Sequence, residues 1–333
     1  MKKEVIIIGA GPAGLSAAEI LAKEGKDVLV LEKKEVIGDK VCAGGLTLKN
    51  MKLVPESLYQ RTFKKIIVHA PKDSAEIKMK KPFLATIDRK DLGKWLAKKA
   101  RKAGAEIQAG TAVNSIGNNF IKTKEKIYFK NLIGADGANS IVRKHLKLQN
   151  KKVLAAFQYI VPKRFKNLEL FFDADKFGPS YAWIFPYSKT TSIGSGADLD
   201  YKLKTAAVKK SFDKWCKQFN MENSEFQAHT INYDYQGHKF GKIFLAGDAG
   251  GFASGLTGEG MYQAIISGQE VAKTILDPNH DPAKINKILF AKAVEEATLH
   301  SLEISSTLTK IEHYLLIDLI KAKWMNKALV KHI

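Results

Sequence analysis

Three glycines and one carboxylate carry the first chemistry in this chain. Val5-Ile6-Ile7-Ile8-Gly9-Ala10-Gly11-Pro12-Ala13-Gly14 is followed, after the apolar run Asp27 to Leu31, by Glu32. The order reads as strand, tight turn, helix, strand, acid, which is a dinucleotide-binding unit. Gly9 permits the sharp exit from the strand, Gly11 lets backbone approach a pyrophosphate, and Gly14 lets helix and strand pack closely. The helix tip at Ala13 then offers unpaired N–H groups and a partial positive charge to phosphate. Glu32, at the end of the second strand, is placed to accept from both ribose hydroxyls. A bare GxGxxG is weak, since glycine turns are common; the flanking strands, helix and terminal Glu make it specific.

Two later segments repeat the pattern of a strand ending in acid and glycine. Gly134-Ala135-Asp136-Gly137-Ala138-Asn139-Ser140 is one, and Gly247-Asp248-Ala249-Gly250-Gly251 is the other. The second runs into Gly255-Leu256-Thr257-Gly258-Glu259-Gly260-Met261, which opens a helix. Taken singly, either could be a glycine turn with a capping Asp.

The elements around these residues predict an α/β chain. A hairpin is expected near 64–80, a helix from Asp88 to about Lys102, short strands at Glu106–Gln108 and Ala112–Val113, and another hairpin over Phe120–Phe129. From about Lys151 to Tyr235 strand patterns dominate, with one helix near 205–219. The expected organisation is a Rossmann-type dinucleotide-binding domain at 1–150, a mixed β-sheet substrate domain inserted at 151–238, the second part of the first domain at 239–280, and C-terminal helices at 281–333.

Composition bounds the function classes. With 333 residues, 45% hydrophobic and 26% charged, the chain can bury a large core. Cys42 and Cys216 are too far apart to suggest a disulfide framework, so a reducing, cytoplasmic setting is expected. The opening apolar run is too short for a signal peptide, and no run reaches the roughly 18 residues of a membrane span. No metal-ligand spacing stands out. The net charge of +20 is mostly lysine, spread along the chain. It reads either as a lysine-rich soluble surface or as attraction to an anionic membrane, a phosphorylated substrate or an acidic electron-donor protein. Nucleic acid is disfavoured, because no basic-aromatic motif accompanies the charge.

The three glycine–acid segments in this order resemble FAD-dependent oxidoreductases of the p-hydroxybenzoate-hydroxylase type, over residues 1 to about 275. That resemblance implies FAD as cofactor. It places Asp248 at the ribityl chain, Gly260 and Met261 at the flavin ring or pyrophosphate, and Arg89 at the diphosphate or ribityl region. It also places the Val113 backbone at the adenine and Asp136 with Gly137 at the frame of the flavin site.

Two further motifs narrow the family. Lys40-Val41-Cys42-Ala43-Gly44-Gly45 and Tyr181-Ala182-Trp183-Ile184-Phe185-Pro186 resemble the K-x-C-[GA]-G loop and Y-x-W-x-F-P segment of geranylgeranyl reductases. By that resemblance the protein saturates an isoprenoid lipid with reduced FAD, the Cys42, Ala43 and Gly45 loop lies along the flavin, and Trp183 and Phe185 line the substrate tunnel. Cys42 is either a proton donor or a small residue packed on the cofactor, and Trp183 and Phe185 could also be plain sheet core. The electron donor is NAD(P)H or reduced ferredoxin. Family members are often longer at the C-terminus, so a more open tunnel is expected here. The final segment, with Leu308, Ile311, Leu315, Leu319, Trp324 and Leu329 beside Lys310, Lys321, Lys323, Lys327 and Lys331, reads in two ways. It is a basic amphipathic helix lying on the inner face of the cell membrane, or a terminal helix docked on its own domain. The rival activities are a flavin monooxygenase or halogenase on the same fold, and a non-catalytic FAD- and lipid-binding protein.

Overall fold

The computed structural model describes residues 1–199 and 205–322. They form two compact units, each discontinuous in sequence.

The first unit holds Met1–Lys40, Arg89–Val153 and Thr230–Glu295. Its sheet runs in the order Lys239–Phe240, Ile243–Leu245, Lys126–Gly134, Lys2–Ile8, Val28–Leu31 and Glu106–Gln108. The five strands after the first are mutually parallel. Such strands are covered on both faces, which is why Val28–Leu31 is an unbroken apolar run with every residue buried. Register aligns Ile8 with Leu31 and with Gly134, and Gly134 with Leu245. Glu32, Asp136 and Asp248 therefore all follow the carboxyl edge of one sheet, where open α/β sheets bind ligands. The Pro12–Lys23 helix packs on the Met261–Leu276 helix so closely that a Cβ on Gly268 would lie 2.1 Å from the Ala13 carbonyl oxygen.

The second unit holds Val41–Asp88, Leu154–His229 and the chain from Glu296. Its seven-stranded sheet runs Glu225–Asn232, Val153–Val161, Thr191–Asp198, Ala182–Pro186, Leu168–Phe171, Lys65–Ala70, Asp73–Lys78. The hairpin expected near 64–80 is present as the last two strands. It falls in this unit rather than with the first 150 residues, because Lys65–Ala70 pairs in parallel with Leu168–Phe171. Side chains alternate between two faces. Phe157, Ile184 and Ile193 meet Val208 and Phe212 of the Thr205–Cys216 helix on one face. On the other, Ile66, Val68 and Leu168 meet Ile317 and Ile320 of the Ser306–Lys321 helix.

One expected element comes out differently. Residues 111–114 are irregular, not a strand; Thr111 N–H donates to the Glu32 carbonyl at 2.8 Å, which holds this segment beside the acid. The C-terminal helices expected from 281 on are Ala283–Ile304 and Ser306–Lys321; the Ser305 hydroxyl accepts from Leu308 N–H and starts the second. Lys323, Trp324, Lys327, Leu329 and Lys331 lie outside the described residues. The Ser306–Lys321 helix docks within its own unit through Thr309, His313, Ile317 and Ile320, while Ile311 and Leu315 on another face are exposed.

Candidate functional site

The glycine turn shows which glycines the fold itself demands. Gly9 has φ +103°, and a Cβ there would sit 2.3 Å from the Ala135 carbonyl oxygen. A Cβ on Gly14 would sit 2.0 Å from the Gly9 carbonyl oxygen. Gly11 is different: its φ is −78°, and a Cβ would meet only the Ala135 oxygen, at 3.9 Å. Nothing within the chain requires glycine at 11, so the open space at the helix tip fits a ligand that approaches backbone. Pro12 has no N–H and Leu15 N–H donates to the Gly11 carbonyl, which leaves Ala13 and Gly14 N–H facing out of the first turn. That cradle suits a diphosphate.

The acids around it have distinct roles. Glu32 accepts from Ala10 N–H at 2.9 Å through one oxygen and from Lys34 N–H at 3.0 Å through the other. Its carboxylate is thereby fixed at the strand end, with lone pairs left for hydroxyl donors. Arg89 is the first residue of its helix, and its buried Nε has no hydrogen-bond partner. A guanidinium with a free buried donor fits a phosphate. Val113 packs at the margin of the apolar core under the sheet. Asp136 accepts from Ile141 N–H at 2.7 Å, at the start of the short Ile141–His145 helix that Ser140 caps. Burial raises its carboxyl above the ordinary range, against the lowering effect of its hydrogen bonds.

Asp248 is paired with Lys40, Nζ to Oδ2 at 2.7 Å, and its side chain is 9% exposed. Asn232 donates to the Asp248 carbonyl at 2.8 Å. A Cβ on Gly260 would lie 3.2 Å from Asp248 Oδ1, so the third acid sits against the tip of the Met261–Leu276 helix. No side chain caps that tip, and Met261 behind it is buried. The sequence reading quoted Lys40 only as a motif residue; its charge beside the strand-end acid was the missed signal. Arg143 was missed altogether. It is 1% exposed and donates to the carbonyls of Asp234 at 2.8 Å and Gln149 at 3.0 Å, tying the segment after its own helix to the chain ahead of the Ile243–Leu245 strand.

The remaining predicted residues gather in the second unit. Gly45 carries the Phe185 ring, 2.7 Å from where a Cβ would stand. The Trp183 ring lies across Gly194, and its Nε1–H donates to Ser192 Oγ at 2.8 Å. Tyr181, Trp183 and Phe185 form a row along one strand face, with ring centroids 6.3 and 6.2 Å apart, extended by Phe172 at 5.5 Å from Tyr181. Cys42 is half-buried, and its Sγ accepts from Gly44 N–H at 3.4 Å. The Cys42 and Ala43 carbonyls face the Tyr187 hydroxyl, at 3.4 and 2.9 Å. The other cysteine, Cys216, is buried and its thiol is pushed up to about 12 by desolvation. Among the described residues, no acid, His or Cys cluster could hold a metal, and no helix is long and apolar enough to cross a membrane.

The profile of the FAD binding domain family matches residues 2–284. The chain belongs to that family. It is 34% identical over 294 residues to an uncharacterized protein of Methanosarcina barkeri, covering 83% of this chain and 75% of that one. It is 27% identical over 301 residues to the geranylgeranyl diphosphate reductase of Rhodobacter capsulatus, with coverage of 83% and 75%. It is 26% identical over 302 residues to the digeranylgeranylglycerophospholipid reductase of Methanocaldococcus jannaschii, with coverage of 82% and 77%. Two solved structures share the fold. A geranylgeranyl bacteriochlorophyll reductase-like protein from Thermoplasma acidophilum superimposes with TM-score 0.78 at 20% identity, covering 96% of this chain and 91% of that one. The flavin-dependent brominase Bmp2 does so with TM-score 0.70 at 18% identity, covering 100% and 93%. The chain is thus an FAD-binding oxidoreductase with relatives named geranylgeranyl reductases, on an α/β fold that it shares with a flavin-dependent brominase.

Proposed function

We propose that the protein saturates carbon–carbon double bonds of a prenyl lipid. The carrying observation is the aromatic row Tyr181, Trp183 and Phe185, in which the Trp183 ring lies on Gly194 and the Phe185 ring on Gly45. A prenyl chain offers only apolar and alkene surface, and such a face matches it. The named reductases among the relatives support the same substrate class.

FAD, when bound, supplies the hydride from its reduced form. In this reading the Ala13 and Gly14 N–H groups and Arg89 hold its diphosphate, and Glu32 takes the ribose hydroxyls. Val113 backs the adenine, and Asp136 frames the site through the turn that it holds by accepting from Ile141 N–H. Asp248, with Lys40 beside it, takes the ribityl hydroxyls, and the helix tip at Gly260 and Met261 takes the ring. Trp183 and Phe185 orient the prenyl chain and exclude water. The second alkene carbon needs a proton; Cys42 Sγ or a water held by its loop is the candidate donor. Electrons come from NAD(P)H or reduced ferredoxin.

The test is mass spectrometry of a geranylgeranyl lipid incubated anaerobically with dithionite-reduced protein. A gain of two mass units, or multiples of two, is expected. The likeness to a brominase favours one second reading, oxygen-dependent hydroxylation or halogenation. An unchanged lipid, with flavin that reoxidises rapidly in air, overturns the reductase in its favour. Bound flavin that neither lipid nor air reoxidises overturns both and leaves a binding protein.

A further inference from the structure

The sheet face that carries Trp183 also carries a buried polar chain whose direction is fixed by chemistry. Gln158 stands opposite Gly194 in one strand pair, and Gly194 stands opposite Trp183 in the next. The missing side chain at 194 opens the space in which the three residues meet. Trp183 Nε1–H can only donate, and it donates to Ser192 Oγ at 2.8 Å. The Ser192 hydroxyl must then spend its own proton on Gln158 Oε1, also at 2.8 Å. That fixes the Gln158 amide, whose NH2 group points away toward two acceptors. One is Gln227 Oε1 at 2.9 Å, and the other is the Cys42 carbonyl at 3.4 Å. Ser192 is fully buried and Gln158 is 2% exposed.

Apolar residues would fill this face at less cost in desolvation. A satisfied buried network instead holds its members in one arrangement. Its two ends are the indole that lines the aromatic row and the backbone of the Cys42 loop. We infer that Gln158 is a positioning residue: through Ser192 it locks the Trp183 indole, and through its NH2 group it holds the Cys42 carbonyl, so that the loop and the prenyl-facing ring keep one register. This rests on the reading of the Cys42 loop and Trp183 as the substrate end of the site.

The decisive readout is the rate of iodoacetamide alkylation at Cys42 in the FAD-loaded full chain, with buried Cys216 as internal control. Gln158→Leu removes both halves of the link. Gln158→Glu keeps an acceptor for Ser192 and removes the donors to the loop, so it covers the case in which the Leu variant fails to fold. In both, alkylation at Cys42 is expected to rise at least threefold while Cys216 stays unreactive. In prenyl turnover, kcat is expected to fall at least fivefold with KM within twofold. An unchanged rate at Cys42 in either soluble variant, an equal rise at Cys216, or unchanged kcat overturns the inference. Wild-type protein that leaves the prenyl lipid unreduced overturns the proposed activity instead, and alkylation still judges the relay.

Discussion

Gly9 and Gly11 stand two residues apart in one turn, yet they answer to different demands. Gly9 serves the fold, since its φ is +103° and a Cβ would strike the Ala135 carbonyl. Gly9→Ala is expected to lose about 1–3 kcal/mol from backbone strain alone, with the clash adding to it, read as a lower urea midpoint. Gly11 is free of that demand, and in the proposed reading it serves the ligand. Gly11→Ala should leave apo-protein stability within about 0.5 kcal/mol and weaken FAD at least tenfold, about 1.4 kcal/mol, in a flavin fluorescence titration. Equal loss of stability in the two variants would remove this division of labour. Arg89→Met follows the ligand pattern, because the buried Nε it deletes has no hydrogen-bond partner among the described residues.

At the scale of elements, the Ser306–Lys321 helix buries His313 beside Phe172, with ring centroids 5.1 Å apart and neither ring nitrogen hydrogen-bonded. Burial pushes this imidazole down to about 4, against the opposing pull of Glu312 and Asp173. The folded state therefore holds it neutral where the unfolded chain would protonate it. The resulting stability is complete above about pH 6.5 and is lost as pH falls toward 4, by roughly 3 kcal/mol at the limit. His313→Leu should flatten the fall in melting temperature between pH 7 and pH 4.5; a slope equal to wild type would refute the assignment. The same helix leaves Ile311 and Leu315 at 57% and 54% exposed. Ile311→Glu with Leu315→Glu should keep the melting temperature and reduce flotation on anionic liposomes, if the peripheral membrane contact proposed from sequence is real. How much of this was readable beforehand depended on range. Gly9, Glu32 and Asp248 announce themselves because strand, turn and helix are local, and the alternation of Tyr181, Trp183 and Phe185 is local too. The parallel pairing of Lys65–Ala70 with Leu168–Phe171 joins residues a hundred positions apart. The Lys40–Asp248 pair and the Gln158–Cys42 contact depend on similar long-range pairing. No periodicity encodes such meetings, so these were not legible. The apolar positions read from the sequence of this helix are 308, 311, 315 and 319, whereas its buried side is 309, 313, 317 and 320, which is how His313 comes to lie inside.

For the whole molecule, the quantity that matters is the +20 charge and its spread. Lysines are exposed in both units, as at Lys94, Lys98 and Lys102 in the first and Lys78, Lys80 and Lys81 in the second. Distributed charge of one sign attracts an acidic macromolecule from several directions, and it does so through bulk solvent, where salt can intervene. The screening length shrinks from about 10 Å at 0.1 M salt to about 3 Å at 1 M. An acidic iron–sulfur donor that meets many lysines at once should then lose at least about tenfold in its second-order rate of flavin reduction over that range. NAD(P)H is also anionic but small, and it touches few lysines, so its rate should fall by less than about threefold. Stopped-flow reduction of the FAD-loaded protein at three salt concentrations separates the two donors. A protein donor whose rate is flat in salt would mean that the charge serves solubility alone, and that electron delivery is decided by the shape of a docking site rather than by its field.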